Sequence, residues 1–381
     1  MDDKLKYLLG ALFVFLMGAF ILGKNRARDD FDASACVGPP FRNVVERNQA
    51  MEDGYNINQR YDCIDKASFD EAQRLEQVRS AERVQRAQDR RERAAKPAVS
   101  ESVQGLALAQ ARKGFRTEVS SPNSTPLNLP VPPPALFVRS DYRSGDLVLP
   151  AYVTPNPHDG QKHAAIIWLT GGDSNSLDEF WTEGAASNDQ SASAFRKAGN
   201  TMFFPTLRGG NAGGSKEYFF GEVEDVLAAA DHLATLPYVD PAQIYLGGHS
   251  TGGTLALLVA ETSNRFAAVI AFGPVAKVDQ YPASIFPGAT GRFADQEVRL
   301  RSPIHWLHGV DTPTYLIEGA KLPSNASSLR ELCGLKLAKV HCIAVPDFDH
   351  FSVLGKVTPI LAARIAVQNN VDSLLKQIEF E

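Results

Sequence analysis

The sequence predicts an α/β domain over residues 135–381, a mostly parallel sheet with helices on both faces, and three observations predict it. From Leu136 onward, short apolar runs alternate with helix-forming stretches, the pattern of strands joined by helical crossovers. A serine flanked by glycines, Gly248-His-Ser-Thr-Gly252, falls between an apolar run and an Ala/Leu-rich stretch. A cluster of Pro, Ser and Asn ending at Pro134 marks where the domain begins, because such composition forms extended linkers.

The predicted core strands are Ala164–Leu169, Thr201–Phe204, Gln243–Leu246, Ala267–Phe272, Thr314–Ile317 and Lys339–Val345. Helices are expected at about 218–236, 252–263, 325–334 and 357–368. Leu136–Thr154 alternates apolar and polar residues, as an antiparallel hairpin at a sheet edge would. The connection Tyr281–Arg301 is long for a crossover and contains Phe286 and Phe293, so it is expected to form a lid over a substrate pocket.

Three segments precede the domain. Within residues 1–24, Tyr7–Gly23 is an uncharged apolar run of membrane-spanning character. It meets Lys24, Arg26 and Arg28 instead of a small-residue cleavage site, so an uncleaved anchor is expected over a signal peptide. Positive charges flank the run on both sides, which leaves its orientation poorly determined by charge alone. Residues 25–67 contain Cys36 and Cys63 and no legible chemistry. Residues 68–134 comprise a charged helix at 68–95, with only a narrow apolar stripe, followed by the Pro/Ser-rich linker.

Composition excludes some functions. The formal net charge is −5 and no basic stripe interleaves with aromatics, so nucleic-acid binding has no electrostatic basis. The four cysteines show no metal-ligand spacing, and neither a metal nor an organic cofactor is expected. Cys36 with Cys63 and Cys333 with Cys342 would each close a local disulfide; such bonds belong to an oxidising compartment. They favour an exported catalytic domain behind a single-pass anchor. Oligomeric state is not legible.

The chemistry lies at Ser250. In a strand–Gly-x-Ser-x-Gly–helix context, the serine occupies a strained turn with its hydroxyl exposed over the helix start. The next amide, that of Thr251, points to where an oxyanion would form. A second donor is expected from Thr170-Gly171-Gly172-Asp173, because paired glycines let amides approach a carbonyl. The base must follow the serine in the chain. His341 falls within a predicted strand, and His305 and His308 precede the last two strands. His350 follows the last strand and precedes the final helix, the position a base requires.

These residues resemble the prolyl oligopeptidase-like branch of the α/β hydrolases. The resemblance covers roughly 136–381 and rests on Pro205-Thr-Leu-Arg-Gly-Gly-Asn211, Tyr238-Val-Asp-Pro through Ser-Thr-Gly-Gly253, Phe272-Gly-Pro-Val275, Arg301-Ser-Pro-Ile304 and Asp349-His-Phe-Ser352. It implies the α/β-hydrolase fold, and a serine hydrolase acting on a small ester or peptide substrate through a Ser–His–acid triad. The chain departs from the branch at the acid: Leu322 stands at the usual aspartate position, in Glu318-Gly-Ala-Lys-Leu322. Glu318 at the strand end is the first candidate, Asp279 the second and Asn325 the third. A structural role for Glu318, paired with a base such as Arg301, competes with all three. The opposing class is a membrane-anchored binding module on a hydrolase scaffold, which the missing aspartate favours.

Overall fold

The computed structural model describes residues 57–58, 63–64 and 108–367. The chain divides into two units, Met1–Glu101 and Ser102–Glu381. Within the first, β1 (Ile57–Asn58) and β2 (Cys63–Ile64) pair antiparallel. The expected membrane run, the charged helix and the Cys36–Cys63 pairing lie outside the described residues.

The second unit is built on an eight-stranded sheet. Its strands are β3 (Val138–Arg139), β6 (Ala151–Val153), β7 (His163–Leu169), β8 (Thr201–Pro205), β9 (Val239–His249), β10 (Val269–Phe272), β11 (Thr314–Gly319) and β12 (Val340–Val345). The order across the sheet is β12-β11-β10-β9-β7-β8-β6-β3. The pairs from β8 through β12 are parallel. The edge strands β3 and β6 are antiparallel, as the Leu136–Thr154 pattern predicts. A separate hairpin, β4 (Tyr142–Ser144) with β5 (Leu147–Leu149), lies between them in sequence.

The helices are α1 (Leu108–Arg112), α2 (Ala194–Lys197), α3 (Glu222–Ala234), α4 (Thr251–Ala260), α5 (Ala294–Arg299), α6 (Ala326–Cys333) and α7 (Ser352–Val367). The apolar run of β7 shows why both sheet faces must be covered. Ala165, Ile167 and Leu169 enter a core with Val223, Val226 and Leu233 of α3 and Leu255 and Leu258 of α4. Ile166 and Trp168 point the other way, towards Phe195 of α2 and Val353, Leu354 and Leu361 of α7. A strand apolar on both faces is stable only between two helical layers. Every residue of α4 is buried; a helix apolar all round belongs to the interior of a domain.

The boundary differs from the expected one. Leu108 of α1 is fully buried, and Ser124 bridges Gly214 in antiparallel fashion. The proline-rich stretch therefore runs along the domain instead of leading to it. Proline lacks the N–H that a sheet interior needs, but its carbonyl still accepts, and Pro130 takes the Tyr152 hydroxyl. At the far edge, a Cys333–Cys342 disulfide ties the end of α6 to β12.

Candidate active site

The site lies at the carboxyl ends of the central strands, where an open parallel sheet leaves its crevice. Ser250 joins β9 to α4 at φ 54°, ψ −113°, a conformation that an L-residue adopts only when its surroundings hold it there. Its amide donates to the Phe272 carbonyl at 2.7 Å, and its carbonyl accepts from Thr254 N–H at 2.9 Å. A Cβ on Gly252 would fall on the Leu169 carbonyl, and one on Gly248 would fall on Gly252 itself. The two glycines of the motif are there for close approach.

His350 begins the turn into α7 and is 8% exposed. Its Nδ1 lies 3.0 Å from Oε2 of Glu318, a fully buried carboxylate at the end of β11. The other oxygen, Oε1, accepts the Gly319 amide at 2.9 Å. With Nδ1–H donating to the carboxylate, the imidazole keeps its Nε2 lone pair for a proton from elsewhere. Gly273, at φ +56°, forms the wall of this pair. A Cβ there would sit 2.5 Å from both Glu318 Oε2 and His350 Nδ1, so any larger residue would drive the two apart.

The other acid candidates lie elsewhere. Asp279 is exposed on a single turn, Val278–Gln280. Asn325 donates from Nδ2 to the Gly273 carbonyl at 2.8 Å and so holds the wall of the pair in place. Asp349 is spent as a helix cap: its Oδ1 accepts from Phe351 N, Ser352 N and the Ser352 hydroxyl. Arg301 is no partner of Glu318. It is fully buried and pairs with Glu297, Thr117 and the carbonyls of Glu217 and Tyr218. The loop after β11 is stitched to the histidine loop by Lys321 N–H to Phe348 O and His350 N–H to Pro323 O, each 2.8 Å. That stitching lets a carboxylate at the strand end reach the imidazole with no acid at Leu322.

On the oxyanion side, the Thr251 hydroxyl donates to the Gly172 carbonyl at 2.9 Å and fixes the glycine loop against the elbow. The amides of Thr251 and Gly172 donate to no group among the described residues. The Gly171 amide differs from its expected role. It donates to Oε1 of Gln190 at 3.1 Å, which leaves Gly172 as the free donor on that loop.

Sequence reasoning passed over Gln190 and the buried His249 beside the nucleophile. Gln190 Nε2 lies 2.8 Å from His249 Nδ1, and His249 Nε2 lies 2.8 Å from the His350 carbonyl. Because Oε1 of Gln190 is taken by Gly171, its NH₂ must face His249 and donate to Nδ1. His249 then carries its proton on Nε2 and donates it to His350. Burial, and then the neighbouring His350 ring 4.6 Å away, depress the His249 pKa to about 3. The ring therefore stays neutral, and one chain of hydrogen bonds joins glycine loop, elbow and histidine loop. The Trp168 indole holds the Gln190 carbonyl from below at 3.1 Å. No local motif marks Gln190, since its partners lie far from it in sequence.

The expected lid is partly a packing element. Phe286 is buried, Phe293 meets Phe115 edge-on at 6.1 Å, and Ile285 reaches the pocket next to Thr251. Among the described residues, no cluster of three or more His, Cys, Asp or Glu is arranged to hold a metal ion.

Sheet order, strand–elbow–helix and the histidine after the last strand define an α/β-hydrolase domain. Residues 187–321, which include Ser250 and Glu318, match the prolyl oligopeptidase family. The chain is 24% identical over 231 residues to dipeptidyl-peptidase 5 of Porphyromonas gingivalis, covering 54% of this chain and 33% of that protein. It thus spans about a third of the length of this curated relative. Among solved structures, dipeptidyl peptidase 4 of Porphyromonas gingivalis superimposes with a TM-score of 0.44 at 18% identity, over 56% of this chain and 32% of that one. A puromycin-hydrolyzing peptidase of Mycobacterium tuberculosis gives 0.49 at 16%, over 61% and 40%.

Proposed function

We propose that this chain is a serine hydrolase that cleaves peptide bonds, and esters of the same acyl groups, through Ser250, His350 and Glu318. The observation that carries the reading is the buried Glu318–His350 pair at 3.0 Å, reached in the fold that sets Ser250 on a strained turn. His350 Nε2 takes the proton of the Ser250 hydroxyl, whose Oγ attacks the carbonyl carbon. The tetrahedral oxyanion is held by the free amides of Thr251 and Gly172. His350 returns the proton to the departing amine or alcohol, and a water activated in the same way releases the acyl group. Glu318 orients the imidazole and stabilises its charged form. The prolyl oligopeptidase match supports a peptide as substrate.

The test is covalent labelling with a fluorophosphonate, mapped by mass spectrometry, together with turnover of an aryl ester. Label is expected on Ser250, and Ser250→Ala is expected to lose both label and turnover while keeping its thermal transition. Ester turnover near wild type in that variant would overturn the assignment.

We infer further that Tyr7–Gly23 anchors the chain and that the catalytic domain faces an oxidising compartment. The Cys333–Cys342 disulfide supports this, as does the apolar run itself. Deleting residues 1–24 is expected to move the protein from the membrane to the soluble fraction with its ester turnover retained. Wild-type protein found in the soluble fraction, with its N-terminus beyond residue 24, would count against the anchor.

A further inference from the structure

We propose that Arg112, at the end of α1, is a positioning residue for substrate selectivity, an inference that rests on the reading of Ser250 as nucleophile. The residue it acts through is Phe219. With Leu255 and Ile285, Phe219 borders the space beside Gly172 and Thr251, which carry the free amides. That space admits a group of about the size of a water molecule or a methyl. Phe219 also stacks on Tyr281 at 5.6 Å, and the Tyr281 hydroxyl meets that of Thr254 at 2.7 Å. The wall is thereby tied to the first turn of α4, directly after the nucleophile.

The backbone that carries Phe219 is strained. Tyr218 stands at φ 51° and Phe219 at φ 72°, two successive residues in the left-handed region, where a Cβ is disfavoured. Such a turn persists only where its surroundings over-determine it. Here each carbonyl from 217 to 220 accepts from a guanidinium. Arg301 donates to Glu217 O at 3.1 Å and to Tyr218 O at 2.8 Å. Arg112 donates to Phe219 O at 2.9 Å and to Phe220 O at 3.0 Å. The amides of Glu217 and Tyr218 donate to Oε1 of Glu222 at 2.7 and 3.1 Å.

Arg112 does more than fill two of those contacts. Its Nη2 also donates to the Leu300 carbonyl at 2.8 Å, at the end of the Tyr281–Arg301 connection. One planar fork thus joins the turn bearing Phe219 to the connection bearing Tyr281 and Ile285. Helix α1 is itself fixed by Leu108, which is fully buried and donates its amide to Glu261 O, just beyond α4, at 3.1 Å. The fork is therefore held in place relative to the helix that begins at the nucleophile. Without it, two of the four carbonyls lose their partners, and the turn relaxes towards negative φ and carries the Phe219 ring away from Thr251.

The experiment measures kcat/KM for aryl esters of N-acetylglycine, N-acetylalanine and N-acetylphenylalanine. Wild type, Arg112→Lys, Phe219→Ala and the double variant are compared. Wild type is expected to prefer alanine to phenylalanine. Arg112→Lys keeps the charge but not the fork that spans three carbonyls. It should lower that preference by about ten-fold, chiefly by lowering KM for the phenylalanine ester. Phe219→Ala should lower it similarly, and adding Arg112→Lys should then change it no further, because the residue it acts through is gone. Equal losses for all three esters, or additive shifts in the double variant, would make Arg112 structural and overturn the proposal. Should Arg112→Lys not fold, Tyr218→Gly is added to remove the strain. Recovery of a folded enzyme with the wild-type preference supports the proposal, and continued failure overturns it.

A second readout is independent of catalysis. Amide hydrogen exchange across residues 217–221 should quicken several-fold in Arg112→Lys while α4 stays protected; wild-type protection of the turn overturns the proposal. Fluorophosphonate labelling separates the two readings. Label on Ser250 with the ester preference unmoved in Arg112→Lys overturns the positioning role alone. No label on wild-type Ser250 overturns the nucleophile, and the exchange measurement then decides whether Arg112 holds the turn.

Discussion

Leu322 stands at the position where the resemblance places an aspartate, and the carboxylate that lies beside His350 is that of Glu318, from the end of β11. The carboxylate moves back along the chain, the longer side chain makes up part of the reach, and the loop 319–325 is tied down so that His350 comes to it. Gly273 makes the arrangement possible by leaving no Cβ between the two side chains. Glu318→Gln keeps the shape and removes the charge that stabilises an imidazolium. It should lower kcat by about two to four orders of magnitude with little change in KM. Asp279→Asn, measured alongside, should leave kcat within a few-fold, since Asp279 is exposed on its turn. The reverse outcome would move the acid to Asp279, and a loss of stability alone in Glu318→Gln would make Glu318 structural.

At the scale of elements, the site is three loops held in register. The Gln190–His249 hydrogen bonds join the loop after β7, the elbow after β9 and the loop after β12. Gln190→Leu keeps the bulk but leaves the Gly171 amide and His249 Nδ1 without partners. Each orphaned buried group costs about 1–3 kcal/mol. The variant should lose stability and also drop kcat by about ten-fold with KM little changed, because small misplacements of reacting groups act on the chemical step. A variant that melts earlier yet turns over at the wild-type rate would make Gln190 a packing residue only.

For the whole molecule, the same network sets acid stability. His249 is held neutral, with its pKa lowered to about 3 first by burial, and burial also lowers His305 to about 4. In the unfolded chain a histidine takes up a proton near pH 6.5. Between that value and the folded pKa the unfolded state binds more protons, so stability rises with pH. The contribution is fully present above about pH 6.5 and is lost as pH falls towards 3, at up to about 1.4 kcal/mol per pH unit for each buried group. Tm measured from pH 7 down to pH 4 should fall, and His249→Asn should make the decline shallower by about one proton. Identical slopes in the two proteins would show that His249 is protonated in the fold.

Much of this molecule is legible in local sequence. Strand β7 is an apolar run bounded by polar turns, and α4 is an Ala/Leu stretch after a glycine-flanked serine; both signals lie within a dozen residues, so periodicity and turn chemistry suffice to read them. The same holds for placing Ser250 and for choosing His350 by its order along the chain. Other features belong to the tertiary structure alone. Residues 121–134 read as a linker because proline removes donors, yet whether such a strand lies free or along a domain depends on surfaces distant in sequence. Gln190 meets His249, and Gly273 lies against the Glu318–His350 pair, across separations that carry no periodic signal. The end of β11 announces a place for an acid. Which carboxylate reaches His350 is decided only when two loops are hydrogen-bonded to each other, because the reach of a side chain depends on where its backbone is held.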